Sequence, residues 1–180
     1  MTTRNFDMRK IKLLVLLLST LVLLSSCTVG NVQSKPGTTT VVVLTRHADR
    51  DKDDIHINAR GKKRAQALVT AVDGLGITGI YSPDLERNLE TAEPLAKKYR
   101  IKITRKSVLS VFWADDVIKE ILDKHSGGAV VWIGNTSGNL KAMYRGLGGK
   151  GDEPEEYGDL YIMTISDKGL ADVKRLNYGP

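Results

Sequence analysis

The chain has 180 residues, enough for one ordinary domain with a buried core and too few for two generous ones. Its formal charge is +6, but Arg4, Arg9, Lys10 and Lys12 against Asp7 put half of that into the first 26 residues. The remaining Lys and Arg are interspersed with acids, which argues against a nucleic-acid partner.

The amino terminus reads as an export signal. Basic residues up to Lys12 precede the apolar run Leu13 to Leu24, then Ser25, Ser26 and Cys27. A permanent span needs about 17 to 25 apolar residues, and this run is shorter and broken by Ser19 and Thr20, so residues 1–26 are expected to be a removable signal peptide. Leu24-Ser25-Ser26-Cys27 also resembles the bacterial lipobox, which makes Cys27 the expected lipidation site. Several acyl chains, at about 0.8 kcal/mol per buried methylene, hold a protein firmly on a membrane where one chain holds it marginally. The expected location is the bacterial cell envelope, on the periplasmic or outer face. Cys27 is the only cysteine, so no internal disulfide can form. Residues 27–39, rich in Thr, Ser, Gly and Pro, read as a flexible tether, and the domain is expected over residues 40–180.

Val41 to Leu44 is continuously apolar and β-branched, as expected for a strand buried on both faces of a parallel sheet. Asn58 can cap a helix carrying Ala65, Leu68, Val69 and Val72 on one face, with Gly74 and Gly76 to stop it. A strand follows at 77–82, then a helix over about 84–99 in which Pro94 removes a backbone donor and should kink it or shift its start. Next come a strand at 101–104, a helix at 115–122, a strand at 129–133 and a helix at about 138–145. Strands at 160–165 and 169–176 close the chain through Asp167-Lys168-Gly169. This alternation predicts an α/β fold, a three-layer sandwich with a mostly parallel central sheet flanked by helices.

Ligands of such sheets sit beyond the carboxyl ends of the strands, here the loops 45–50, 82–87 and 134–139. Arg46 and His47 directly follow the first strand: a guanidinium there can grip phosphate through paired donors, and the neighbouring imidazole can attack phosphorus. Arg50 and Thr136, in two of these loops, are further candidates for substrate contact.

Three stretches resemble the histidine phosphatase superfamily, also called phosphoglycerate mutase-like. Leu44-Thr45-Arg46-His47-Ala48 looks like its arginine-histidine signature, and Asn58-Ala59-Arg60-Gly61 falls where its first helix opens. Tyr81-Ser82-Pro83-Asp84-Leu85-Glu86-Arg87-Asn88-Leu89-Glu90-Thr91-Ala92 looks like the segment bearing its second phosphate arginine, here Arg87. The tail from Tyr144 through Tyr157-Gly158-Asp159 resembles a small bacterial lipoprotein branch of that family. The resemblance implies a phosphoglycerate mutase-like fold, transient phosphorylation of His47, phosphoryl binding by Arg46 and Arg87, and release of phosphate by water, with no metal and no cofactor. The implied partner is a phosphorylated small molecule or phosphopeptide.

One position departs from the pattern. Where the family carries a second histidine, this chain has Asn135 in Gly134-Asn135-Thr136-Ser137. An amide donates a hydrogen bond but brings neither charge nor proton transfer. His125 precedes the strand at 129–133 and so belongs at the opposite sheet end, while His56 in an acidic loop is nearer the crevice. For the leaving-group acid the candidate is Asp115, although an Asp at a helix start also serves as a cap. Two readings stay open: an envelope phosphomonoesterase working through His47, and a phosphate-binding lipoprotein that has lost turnover.

Overall fold

The computed structural model describes residues 32–180. The expected signal segment 1–26 and Cys27 lie outside the described residues. Ten elements follow in chain order: β1 (Thr39–Arg46), α1 (Ala59–Ala71), β2 (Ile77–Pro83), α2 (Glu86–Tyr99), β3 (Ile103–Lys106), α3 (Trp113–Lys124), β4 (Ala129–Gly134), α4 (Asn139–Gly146), β5 (Asp159–Ser166) and β6 (Gly169–Asn177). The six strands form one sheet in the order β3-β2-β4-β1-β5-β6. The first four are mutually parallel, and β5 and β6 join antiparallel. This is the expected α/β sandwich.

Strand pleating explains the continuous apolar runs. Val42 and Leu44 of β1 with Val130 and Trp132 of β4 face Ile121 and Met143 of α3 and α4. Val43, Val131 and Ile133 face the other way, onto Leu68 of α1 and Leu95 of α2. Central strands thus bury both faces, at about 25 cal/mol per Å² of apolar surface removed from water. Asn58 caps α1 as expected, its Oδ1 accepting from Gly61 N at 2.9 Å.

Several boundaries differ from expectation. Helix α2 starts at Glu86 and runs through Pro94, which keeps a helical φ at the cost of one backbone bond. Strand β3 lies at 103–106, two residues later than expected, because Arg100 ends α2 in the left-handed region (φ 56°) and the chain needs residues to turn back. Helix α3 starts at Trp113, whose ring stacks on Trp132 at 5.5 Å, so tertiary packing extends it beyond Asp115. The tether expected over 27–39 is corrected at its end: Ser34 is 4% exposed, its N–H donates to Ser166 O at 2.9 Å, and its hydroxyl meets Thr40 Oγ1 at 2.7 Å. The packed unit therefore includes residues before the expected start at 40. Among the described residues no helix is long and apolar enough to cross a membrane.

Candidate active site

His47 lies immediately beyond β1 and is 2% exposed. Its N–H donates to Gly134 O at 2.9 Å, which continues the β1–β4 ladder and puts the residue beside Asn135. Its ring Nδ1 lies 2.8 Å from Ala48 O. A carbonyl only accepts, so Nδ1 carries the proton and Nε2 keeps its lone pair. Burial is the main force pulling the imidazole down from its ordinary 6.5 to about 4; the Ala48 bond opposes it, and Arg87, Arg46 and Arg50 add to it. The ring is therefore neutral near pH 7, the state a nitrogen nucleophile requires.

The charges of three guanidinium groups, Arg87, Arg46 and Arg50, are felt at this ring. Among the described residues, Arg46, Arg50 and Arg87 form no ion pair with a carboxylate, and the Nε of each is buried without a hydrogen-bond partner. Orphaned buried donors cost about 1 to 3 kcal/mol each unless a ligand satisfies them, so three together mark a place for an anion. Arg87 at the start of α2 is pushed below its ordinary value by burial first and by Arg50 and Arg46 next, with Tyr157 opposing.

Tyr157 belongs to this cluster, although sequence reasoning assigned it no role. Its ring lies 3.9 Å beneath the Arg46 guanidinium carbon and meets the His47 ring edge-on at 5.7 Å. Arg46 also donates through Nη1 to Glu155 O at 3.0 Å. That loop is held by Asp159, whose Oδ2 accepts from Glu155 N and Glu156 N at 2.9 Å each. Arg46 is thus fixed from the α4–β5 connection, a fourth loop beyond the three that the strand-end rule picked out.

Buried polar residues set the distances between loops. Thr91 Oγ1 accepts from Ala48 N at 2.8 Å and donates to Arg87 O at 2.7 Å, which ties the His47 loop to α2. Asn88 Nδ2 donates to Ile133 O at 2.9 Å, tying α2 to β4. Asp49, 6% exposed, pairs with the fully buried Arg64 at 2.6 Å, and Arg64 also donates to Tyr178 O at 2.6 Å and to Pro180 O. Burial pushes the Asp49 carboxyl up, but Arg64, a backbone hydrogen bond and Arg60 together hold the group below its ordinary range. A Cβ at Gly61 would run into the Asp49 carbonyl oxygen, so glycine there lets α1 approach the loop.

Asn135 is 4% exposed. Its Oδ1 accepts from Ser137 N at 3.1 Å and from the Ser137 hydroxyl, and its own N–H donates to Asn139 Oδ1 at 2.7 Å. Its Nδ2 has no protein acceptor among the described residues, which leaves a donor at the end of β4. Thr136 is exposed on the adjoining loop. Asp115, the expected acid, is exposed in the first turn of α3 and has no hydrogen bond to His47, Arg46 or Arg87. It lies two residues beyond Trp113, whose ring stacks on Trp132 of β4. His125 lies at the opposite sheet end, as expected, 3.0 Å from Thr78 Oγ1 and 3.1 Å from Tyr81 OH. His56 is exposed and bonds Glu90 at 2.6 Å, which raises its pKa. A cavity of about 390 Å³ opens beyond β2 and β3, lined by Pro83, Leu85, Lys106 and Leu109 among others, next to the loop that leads into Arg87.

The fold and this cluster define an α/β protein with an oxyanion cradle around a neutral histidine. Residues 42–110, which hold His47 and all three arginines, match the family model for the histidine phosphatase superfamily (branch 1). Among solved structures, the chain is similar to the protein histidine phosphatase SixA complexed with tungstate, at 12% identity and TM-score 0.61, over 77% of this chain and 96% of that one. It is similar to phosphoglycerate mutase from Bacillus anthracis at 13% and 0.56, over 77% and 93%. It is also similar to a mycobacterial glucosyl-3-phosphoglycerate phosphatase at 14% and 0.51, over 78% and 99%. At these identities the likeness establishes the phosphoglycerate mutase-like fold. The match to the family model spans residues 42–110, less than half of the chain. Comparison with curated proteins gives no match.

Proposed function

We propose that the protein is a phosphomonoesterase of the bacterial cell envelope, attached through lipid on Cys27, that works through a phosphohistidine on His47. The observation that carries this reading is the juxtaposition of a buried neutral imidazole, its Nε2 free, with three guanidinium groups whose Nε donors lack acceptors. In the first step Nε2 forms a bond to phosphorus as the ester P–O bond breaks, and the departing oxygen takes up a proton. In the second, water attacks the phosphorus, the N–P bond breaks, and orthophosphate leaves with the imidazole neutral again. Arg46 and Arg87 hold the phosphoryl oxygens, and Asn135 Nδ2 is placed to donate a neutral hydrogen bond. Such positioning and charge stabilisation supply most of the catalysis in phosphoryl transfer. Exposed Asp115 is a weak candidate for the proton donor, which leaves solvent as the simpler source for a good leaving group. The cavity beyond β2 and β3 is where the organic part of a phosphorylated small molecule or peptide would extend.

Asn135 supports a second reading, a phospho-ligand-binding lipoprotein with little turnover, because an amide cannot move a proton. The two readings part on phosphate release from an aryl phosphate by the purified full-length protein. The enzyme reading expects a rate that His47→Ala abolishes. Equal inertness of wild type and variant across a broad panel of monoesters overturns it in favour of the binder.

A further inference from the structure

Resting on the lipid-anchored phosphatase reading above, we infer that residues 32–38 hold the crevice turned away from the bilayer that carries the protein. Its substrates are then phosphomonoesters met in the aqueous phase, not the phosphate headgroups of that bilayer.

Residues 32–38 form a strap fixed to the end of the domain opposite His47. Ser34 N donates to Ser166 O at 2.9 Å. The Ser34 hydroxyl lies 2.7 Å from Thr38 Oγ1 and from Thr40 Oγ1 and 3.1 Å from Ser126 Oγ, while Thr38 Oγ1 and Ser126 Oγ are 2.7 Å apart. Lys35 Nζ donates to Asp123 O at 2.6 Å, and Gly37 N donates to Asp167 Oδ2 at 3.0 Å. Val32 packs against the core, and a Cβ on Gly169 would stand 3.5 Å from its carbonyl oxygen, which puts Val32 beside the β5–β6 turn. That turn is level with the start of β1, because Ser166 of antiparallel β5 pairs with Thr39. His47 stands beyond the other end of β1. Eight residues at about 3.3 Å each separate the level of Val32 from His47 by about 26 Å.

Chain length makes that separation decisive. A chain spans at most about 3.6 Å per residue, so the five steps from Cys27 to Val32 reach about 18 Å and no further. A chain free as far as residue 39, as its composition suggested, would reach about 43 Å, enough to lay the crevice on the lipid. Turning the crevice to face the surface that holds Cys27 would lift Val32 by more than the short chain allows. A domain lying on its side opens the crevice parallel to that surface, with the bilayer phosphates still outside it. Soluble phosphomonoesters, or phosphate on another protein, meet no such limit.

The test uses the full-length lipidated protein in vesicles of phosphatidylglycerol and phosphatidylethanolamine. With the Cys27 sulfur taken by lipid, the cysteine of Lys168→Cys, in the β5–β6 turn, or of Thr136→Cys, on the exposed loop at the crevice end, is the one free thiol and carries a fluorescent label. A short-range quencher on the lipid headgroups is expected to dim the Lys168→Cys label about threefold or more beyond the Thr136→Cys label. Twenty Gly and Ser residues inserted after Gly30 lengthen the chain past the size of the domain and are expected to bring that ratio to about one. Phosphate release from long-chain phosphatidic acid in the same vesicles is expected at below about a hundredth of the rate on an aryl phosphate in solution, since the reacting atoms never meet. Equal quenching of the two labels without the insertion overturns the inference and points to the exposed Leu109, Val111 and Phe112 after β3 as the side chains that enter the lipid. Release of lipid phosphate within about tenfold of the aryl phosphate rate also overturns it. Protein that carries no lipid on Cys27 by mass overturns the anchor reading and the inference with it. Unequal quenching without turnover of either substrate overturns the phosphatase reading alone and leaves the orientation standing.

Discussion

Burying a neutral histidine makes folding stability depend on pH, and His47→Asn isolates that dependence. In the folded protein the ring titrates at about 4, against an ordinary 6.5. Between those values the unfolded chain holds a proton that the folded chain refuses, so stability falls as pH drops from about 6.5 to 4 and this contribution levels off below. A gap of about 2.5 units at 1.36 kcal/mol per unit amounts to about 3 kcal/mol by pH 4. His125, which burial lowers, acts in the same direction, while His56, raised by Glu90, acts in the opposite one. Both remain in the variant, so the difference between the two proteins reports His47 alone. Urea unfolding at pH 7.5 and pH 4, analysed by linear extrapolation, is the assay. Wild type should lose about 3 kcal/mol more than His47→Asn on acidification. Saturating phosphate should shrink that difference, because an anion offsets the repulsion from Arg87, Arg46 and Arg50. Parallel losses in the two proteins would refute the claim that the folded state holds this imidazole neutral.

Other substitutions test the frame. Arg64→Ala leaves Asp49 buried beside an empty space and should destabilise the protein by about 3 to 5 kcal/mol, read by denaturant midpoint. Gly61→Ala forces α1 off the Asp49 carbonyl and should cost about 1 to 3 kcal/mol while weakening phosphate binding through the displaced loop, both measurable by thermal shift with and without phosphate. Tyr157→Phe keeps the ring under Arg46 and should bind phosphate like wild type. Tyr157→Ala loses a cation–π contact of about 0.5 to 2 kcal/mol and should weaken phosphate binding by about two- to thirtyfold in the same titration.

Much of this was legible in the amino-acid sequence because it is local. The continuous apolar runs of β1 and β4 specify buried parallel strands, and Arg46 and His47 follow β1 without a gap, so the sheet itself carries them to the crevice. Asn58 announced the α1 cap by residue type. The contacts that were missed run across long separations. Arg46 meets Glu155 109 positions away, and Arg64 meets Tyr178 114 away. Arg64 sits in Lys62-Lys63-Arg64, a run that looks like a solvated helix face, and only the returning C-terminal strand turns one of the three inward. Thr91 gave no signal because a threonine in a helix that binds its own i−4 carbonyl looks ordinary until the Ala48 N–H appears on its other side.

The most direct measurement of the central claim is mass spectrometry of the full-length protein quenched in alkali after brief exposure to a reactive phosphate donor. A single added phosphoryl group on His47, lost on acid treatment and absent from His47→Ala, is the predicted result. A phosphoryl group found only on another residue, or phosphate released steadily by His47→Ala, would contradict it.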